Sequence, residues 1–174
     1  MPEYEVEMAS RSWDKNRYMF RVYSDVLAPV YYLLDIRESS FDLIGGEYPD
    51  LSDAELAKME SLEFKARDGM TIPAYLTMPP IAETKNLPLV VYPHGGPHSA
   101  DDWGFDNYVQ FFANRGYAVF QPQFRGSTGQ GIAHLEAGYG QWGMAMQDDI
   151  TDGVKWLIER GTVDPNRICI VGSS

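Results

Sequence analysis

Three short, continuous apolar runs, at residues 87–92, 117–120 and 168–171, constrain the fold of this chain more than any other feature. Such runs are typical of strands that are buried on both faces of a parallel sheet, since an exposed face would bring polar residues into alternate positions. Between the runs, residues 105–114 and 144–160 carry apolar side chains at helical spacing. The resulting order of strand, helix, strand, helix, strand predicts the α/β class.

Two hairpins are predicted before these runs. Residues 17–24 alternate polar and apolar side chains, and residues 30–35 are rich in strand-forming types, so the two segments are expected to pair in an antiparallel hairpin. The second hairpin, residues 61–77, has its turn at Asp68-Gly69, a dipeptide favoured in tight turns. A lone hairpin is only marginally stable in water. The sequence around the hairpin at residues 17–35 predicts no neighbouring strands that would stabilise it.

The domain boundary is placed at a short helix predicted for residues 51–58, with Ser52 as its N-cap and Glu55 as the capping-box partner. Residues 1–50 then form a β-hairpin region, and residues 51–174 form an α/β domain. We therefore expect two domains of different size.

The charge balance excludes several classes of partner. The chain carries 14 Lys and Arg against 25 Asp and Glu, a net charge of −11, and such an acidic surface repels nucleic acid and anionic lipid. The single cysteine, Cys169, excludes an internal disulfide and a cysteine-based metal site, and its apolar run predicts a buried strand residue. The N-terminus lacks the pattern of a signal peptide, and no apolar run approaches the ~20 residues that span a bilayer. We expect a cytoplasmic protein without metal or other cofactor.

The first candidate site follows residues 87–92 and has the sequence His94-Gly95-Gly96-Pro97. Two consecutive glycines let the backbone approach a ligand closely and can aim an N–H group outward. After an early strand of an α/β-hydrolase sheet, such a turn supplies half of the oxyanion hole, which holds the negative oxygen of a tetrahedral intermediate. A plain Gly-Gly-Pro turn fits the same residues equally well.

The second candidate site is Gly172-Ser173-Ser174, directly after the run at residues 168–171. A strand that leads into Gly-x-Ser is the first half of a nucleophile elbow, and the spacing makes Ser174 the nucleophile. The expected reason for Gly172 is that a side chain there would clash in the strained turn. A flexible turn or tail has the same composition, so the interpretation depends on the preceding strand and on the Gly-Gly turn upstream.

The third candidate site is the glycine-rich loop of residues 124–131. A phosphate-binding loop would need a lysine followed by serine or threonine, and the dinucleotide fingerprint also does not fit, so nucleotide binding is disfavoured. We predict a structural loop beside an active site, in which Arg125 anchors backbone carbonyls or a carboxylate.

Together these motifs resemble the prolyl oligopeptidase family of serine peptidases, in particular its acylaminoacyl-peptidase and dipeptidyl-peptidase-like branch. The resemblance covers about residues 55–174, and residues 1–50 look like the closing blade of that family's β-propeller. Gln130 stands where the family more usually has tyrosine. The matching motifs, in chain order, are His94-Gly95-Gly96-Pro97, Arg125-Gly126-Ser127-Thr128-Gly129-Gln130-Gly131, Trp142-Gly143, Asp148-Asp149, Asp164-Pro165-Asn166-Arg167-Ile168 and Gly172-Ser173-Ser174.

The resemblance implies an α/β-hydrolase catalytic domain, of which residues 51–174 are the N-terminal part, capped by a propeller that admits peptides. It implies Ser174 as the nucleophile and the Gly96 N–H as an oxyanion donor. It also implies a catalytic Asp and a catalytic His that follow the nucleophile in the chain. Because the sequence stops at Ser174, we expect a truncated serine peptidase that is inactive by itself.

The three histidines precede the nucleophile, so the family's residue order assigns none of them as the catalytic base. His94 is expected to be structural, His98 to contact substrate and His134 to be exposed. The candidates for substrate binding are Gly95, His98 and Arg125.

The function expected from these observations is hydrolysis of short peptides through an acyl-enzyme, with a peptide as the partner. An esterase on the same scaffold and a non-catalytic binding module stay open as alternatives, since the elbow and the Gly-Gly turn serve more than one chemistry. The last strand is expected to lack partners on one side. An exposed edge of that kind favours homo-oligomers or pairing with another chain.

Overall fold

A computed structural model describes residues 4–51, 56–81 and 84–174 of the chain. The chain divides into two compact units, one of Met1–Leu56 with Gly104–Asn107 and one of Ala57–Trp103 with Tyr108–Ser174. Within the described ranges, no helix is long and apolar enough to cross a membrane.

The first unit is built on a four-stranded antiparallel sheet whose strands follow chain order. The strands are β1 (Glu5–Arg11), β2 (Arg17–Ser24), β3 (Leu27–Asp35) and β4 (Ser40–Gly46). Strands β2 and β3 confirm the predicted hairpin. The expectation that this hairpin has no neighbours is wrong, because β1 and β4 flank it. The missed signal in β1 is a period-2 pattern, in which Val6 and Met8 alternate with glutamates.

The second unit contains a five-stranded sheet with the strand order β5-β6-β8-β7-β9. Its strands are β5 (Met59–Lys65), β6 (Thr71–Thr77), β7 (Leu87–Val91), β8 (Ala118–Pro122) and β9 (Val163–Ile170). Strand β7 runs parallel to both β8 and β9, whereas β6 pairs antiparallel with β5 and with β8. The predicted hairpin at residues 61–77 and the parallel arrangement of the three apolar runs are confirmed.

Three helices connect the parallel strands: α1 (Asn107–Ala113), α2 (Ile132–Glu136) and α3 (Ala145–Glu159). Helices α1 and α3 confirm the helical spacing at residues 105–114 and 144–160. The sequence pattern does not reveal the five-residue α2, because a helix of little more than one turn is too short to show a period. The helix predicted at residues 51–58 depends on Ser52 and Glu55, which lie outside the described residues.

The larger hydrophobic core of the second unit lies between the sheet and α3, and a smaller cluster joins the sheet to α1. Leu89 of β7, Phe120 of β8 and Leu157 of α3 are fully buried. Helix α3 approaches the sheet closely at Gly153, where an added Cβ would lie 2.6 Å from Phe120 Cζ and 2.8 Å from Phe64 Cζ. A larger residue at position 153 would push α3 away from the sheet that carries the candidate motifs.

Strand β9 lies at one edge of this sheet, and most of its side chains are partly or fully exposed. Cys169 is exposed, so the prediction that it is a buried strand residue is wrong. The run at residues 168–171 has the composition of a central strand, but in the described part of the chain β9 pairs only with β7. Ile170 is 63% exposed for the same reason.

Candidate active site

All three candidate motifs lie at the carboxyl ends of parallel strands. The Gly-Gly turn follows β7, the glycine-rich loop follows β8, and Ser174 follows β9. Backbone pairing continues up to the motifs, since the Tyr92 N–H donates to Phe120 O at 2.8 Å and the Val171 N–H donates to Val91 O at 2.9 Å. Because the carboxyl ends of parallel strands lie at the same end of a sheet, segments that are far apart in the chain meet here. α/β proteins bind their ligands at this carboxyl end of the sheet.

Ser174 lies directly against the Gly-Gly turn. A Cβ added to Gly95 would be 2.9 Å from the Ser173 carbonyl oxygen, 3.1 Å from Ser174 Cβ and 3.5 Å from Ser174 Oγ. The first of these separations is too short for a side chain, so the contact requires glycine at position 95. The Ser174 backbone has a φ of +87°, in the left-handed region that residues with a side chain rarely adopt. A nucleophile elbow likewise holds its serine in a strained turn after a strand.

Gly96, the second glycine of the turn, has a strained and exposed backbone. Its φ is +124°, and an added Cβ would lie 2.7 Å from the His98 backbone nitrogen, so a side chain is excluded here too. Gly96 is exposed, and among the described residues none accepts a hydrogen bond from its N–H. An unpaired N–H beside a serine can stabilise negative charge that develops on a substrate oxygen.

Gly172 does not make the close approach that the sequence pattern led us to expect. Within the described ranges, a Cβ at this position would have one neighbour inside 4 Å, the Pro93 carbonyl oxygen at 3.6 Å, which is an ordinary contact. The prediction that a side chain at position 172 would clash is therefore wrong within the described residues. The close approach falls instead on Gly95, because the turn after β7 packs against Ser173 and Ser174.

His94 connects the Gly-Gly turn to the glycine-rich loop. Its Nδ1 lies 2.8 Å from Gly95 O, and its Nε2 lies 2.8 Å from Ser127 Oγ. The imidazole stacks on the Phe124 ring with centroids 4.5 Å apart. Burial lowers the pKa of His94 below its ordinary value of 6.5, because the imidazolium loses solvation there. The ring is thus favoured in its neutral form, with both nitrogens engaged by neighbouring loops.

The other two histidines are held by backbone carbonyls. His98 Nδ1 lies 2.9 Å from Gly126 O. His134 is buried, and its Nε2 lies 2.9 Å from Gln123 O and 3.1 Å from Phe124 O. The expectation that His134 is exposed is wrong, because α2 places its ring against the segment that follows β8.

Arg125 is bound by two carboxylates. Its Nε and Nη2 donate to the two oxygens of Asp149 at 2.8 and 2.7 Å, and its Nη1 lies 2.8 Å from Asp68 Oδ2. The Asp149 side chain is fully buried. Hydrogen bonds to Asp149 and then to Asp68 raise the pKa of the Arg125 guanidinium, which in turn lowers the pKa of Asp68. Arg125 therefore ties the glycine-rich loop to α3 and to the turn of the β5–β6 hairpin.

An open pocket lies beside the Gly-Gly turn and Ser174. Gly95 and Gly96 border it, whereas His98 and Arg125 do not. No Asp, Glu, Lys or Arg side chain lines it among the described residues. Sequence reasoning assigned no role to its apolar wall, because such side chains look like ordinary core residues in a sequence. The wall is formed by Pro93, Pro97, Phe124, Trp142, Met146 and Ile150.

The described part of the chain does not provide a base for Ser174. No side chain in it is hydrogen-bonded to Ser174 Oγ, and no group of three or more His, Cys, Asp or Glu residues there could hold a metal ion. The arrangement can place a hydroxyl and an N–H donor on one carbonyl group. Removal of the hydroxyl proton requires a further group.

The family follows from comparison with known proteins. The sequence profile of the prolyl oligopeptidase family matches residues 103–174. Dipeptidyl aminopeptidase BIII of Pseudoxanthomonas mexicana is 35% identical to this chain over 178 residues, an alignment that covers 98% of the chain and 26% of that protein. The chain belongs to the prolyl oligopeptidase family. It spans about a quarter of the length of the curated relatives that it matches.

Two solved structures share this fold over nearly the whole chain. A puromycin-hydrolysing peptidase of Mycobacterium tuberculosis matches 91% of this chain with 25% of its own, at a TM-score of 0.76 and 25% identity. The acylaminoacyl peptidase of Pyrococcus horikoshii matches 98% of this chain with 27% of its own, at a TM-score of 0.75 and 21% identity. The family profile and the curated relative, rather than these structures, confirm the family predicted from the motifs.

Proposed function

We propose that this member of the prolyl oligopeptidase family is a serine peptidase that hydrolyses short peptides through an acyl-enzyme. The observation that carries the proposal is the contact between Ser174 and the Gly-Gly turn, in which a Cβ on Gly95 would lie 3.5 Å from Ser174 Oγ. The left-handed backbone of Ser174 supports the same interpretation, as does the Gly96 N–H, for which no described residue is the acceptor. These are the two parts that acyl transfer needs, a nucleophile and an oxyanion donor.

The proposed reaction begins when Ser174 Oγ attacks the scissile carbonyl carbon and a base takes the hydroxyl proton. The carbonyl oxygen gains negative charge, and the Gly96 N–H donates a hydrogen bond to it. Collapse of the tetrahedral intermediate breaks the C–N bond as the protonated base gives its proton to the leaving amine, and the acyl group stays on Ser174. Water, deprotonated by the same base, then attacks the acyl carbon and releases the acid, and the proton returns to Ser174 Oγ. One such oxyanion donor contributes about 3–4 kcal/mol to lowering the barrier.

We place the general base and its carboxylate partner outside residues 1–174. His94 has both ring nitrogens engaged by Gly95 and Ser127, and His98 and His134 are each held by backbone carbonyls. A serine hydroxyl without a base is a weak nucleophile. The polypeptide of residues 1–174 alone is therefore expected to show no turnover, and Ser174-dependent turnover by it would contradict this.

The fold supports two further parts of the proposal. We assign residues 51–174 to the N-terminal part of an α/β-hydrolase domain, because the nucleophile and the Gly-Gly turn follow neighbouring parallel strands, β9 and β7. We assign residues 1–50 to a β-propeller blade, because four antiparallel strands in chain order are the content of one blade.

Peptides are favoured over simple esters as substrates. The chain is similar to a protein named as a dipeptidyl aminopeptidase, and this name describes peptide chemistry. Of the three residues predicted to bind substrate, Gly95 has the strongest support, because it borders the pocket. His98 and Arg125 are engaged by Gly126 O and by carboxylates, so a role in substrate binding would require them to exchange these partners.

The test uses the full-length protein and a fluorophosphonate probe that reacts with activated serines. We expect one adduct by intact mass, mapped by peptide sequencing to Ser174, and loss of both labelling and hydrolysis in Ser174→Ala. The matched control is Ser173→Ala, which removes the neighbouring hydroxyl. Hydrolysis of a dipeptide p-nitroanilide and an N-acetylaminoacyl p-nitroanilide, compared with a p-nitrophenyl ester, separates peptidase from esterase. Full activity in Ser174→Ala would refute the proposal.

A further inference from the structure

We propose that His94 and Ser127 are positioning residues that orient the oxyanion donor of this site through the peptide group shared by Gly95 and Gly96. The inference rests on the proposed function, since it takes the Gly96 N–H as the group that holds the oxyanion. It adds a reason for the buried hydroxyl of Ser127, to which no role has been assigned above.

The first step concerns the geometry of one peptide group. The carbonyl of Gly95 and the N–H of Gly96 belong to the same trans peptide unit, which is planar, so they point in opposite directions. His94 Nδ1 lies 2.8 Å from Gly95 O. A proton donated by Nδ1 to this carbonyl therefore fixes the direction of the N–H at the other side of the unit. It also polarises that N–H, because hydrogen bonds in series strengthen one another.

The second step concerns the proton on the imidazole. A neutral ring carries one proton, on either Nδ1 or Nε2. It can hold Gly95 O only when the proton is on Nδ1, and Nε2 must then accept a hydrogen bond. Ser127 Oγ lies 2.8 Å from His94 Nε2 and can supply that proton. Ser127 thereby selects the tautomer that orients the turn, in the way that partners of histidine generally set the tautomer.

The third step asks whether the Ser127 proton is available. Ser127 Oγ also lies 2.6 Å from Phe124 O, a second acceptor for its single proton. Phe124 O also accepts a hydrogen bond from the Ser127 N–H at 3.0 Å, and it lies 3.1 Å from His134 Nε2, which it shares with Gln123 O. The hydroxyl can therefore rotate towards His94 without leaving this carbonyl unpaired. Ser127 is 0% exposed, so bulk water does not take its place.

The test uses variants of the full-length protein that separate the two ring nitrogens. In His94→Asn the side-chain amide can occupy the position of Nδ1 and still donate to Gly95 O, whereas the longer amide of His94→Gln reaches towards Ser127 instead. Ser127→Ala removes the hydroxyl that selects the tautomer. The matched control is Ser24→Ala, a fully buried serine of the first unit whose Oγ accepts a hydrogen bond from the Val26 N–H.

We expect His94→Gln and Ser127→Ala to lower kcat for a dipeptide p-nitroanilide by about 10- to 100-fold with little change in KM, since loss of a whole oxyanion donor costs 10²–10³. His94→Asn and the Ser24 control are expected to stay within about threefold of the parent kcat. Binding of a peptide aldehyde, whose hemiacetal oxygen occupies the oxyanion position, is expected to weaken in parallel with kcat.

Two results would overturn the inference while Ser174→Ala still abolishes activity. One is a parental kcat in Ser127→Ala, and the other is an equal loss of kcat in His94→Asn and His94→Gln, which would assign the effect to the ring's volume. If either His94 variant fails to fold, Ser127→Ala decides alone. Activity that survives Ser174→Ala would instead refute the proposed function.

Discussion

Replacement of Gly95 by alanine tests whether the turn and the nucleophile act as one site. The added Cβ would lie 2.9 Å from the Ser173 carbonyl oxygen and 3.1 Å from Ser174 Cβ, where ordinary contacts begin at 3.4 Å. The turn and Ser174 must therefore separate by about 0.5 Å, because dispersion contacts become repulsive below that distance. A misplacement of about 1 Å in a catalytic group costs roughly 10²-fold in rate, so Gly95→Ala is expected to lower kcat by about 10-fold.

The assay is steady-state hydrolysis of a dipeptide p-nitroanilide by the full-length protein, together with the rate of fluorophosphonate labelling. The matched control is Gly46→Ala, because a Cβ there would have its nearest neighbours at 3.4 and 3.5 Å and the backbone has no positive φ. We expect the control to keep the parental kcat. A parental kcat in Gly95→Ala, with normal folding by circular dichroism, would refute the placement of Ser174 against the turn.

Stability, pH dependence and association provide three further tests. Asp149→Ala removes the buried partner of Arg125 and is expected to lower the free energy of unfolding by about 3 kcal/mol, measured by urea denaturation; an unchanged midpoint would contradict this. Hydrogen bonds from Arg67 lower the pKa of Asp152 below its ordinary 3.8. The Arg67–Asp152 pair therefore stabilises the folded protein above that pH, and its contribution is lost as the pH falls through the lowered pKa. Arg67→Gln is expected to reduce the difference in urea midpoint between about pH 7 and about pH 3, and an equal difference would count against the pair. Residues 1–174 alone are expected to self-associate through β9, and Ile170→Lys to yield monomers in sedimentation velocity; association unaffected by this change would place the contact elsewhere.

Most of the strands could be predicted from the sequence, because each depends on local composition. The apolar runs became β7, β8 and β9, and the alternating segment at residues 17–24 became β2. Burial was harder to predict. Cys169 lies in an apolar run yet is exposed, whereas His134 was expected to be exposed yet is buried. Exposure depends on which strand lies at an edge and where a short helix folds, and neither is encoded in a residue's immediate neighbours.

In the candidate site, too, some residues could be predicted from the sequence and others could not. Ser174 and the Gly-Gly turn could be proposed as site residues because their motifs follow apolar runs and together resemble those of a known family. The roles of Ser127 and Asp149 could not, because a serine and an aspartate in a polar loop or helix carry no local signal. Their hydrogen bonds to His94 and Arg125 join segments that are far apart in the chain.

The sequence by itself determined most of the strands, the two longer helices, the excess of acidic residues and the residue types at each turn. The tertiary structure decided which of these residues meet. Parallel pairing of β7 with β8 and β9 brings three loops to the carboxyl end of the sheet. There Ser174 contacts Gly95, and Ser127 contacts His94. The physical reason is that strand pairing depends on backbone hydrogen bonds, which any residue except proline can donate. Strand order and register therefore emerge only when the whole sheet packs against its helices.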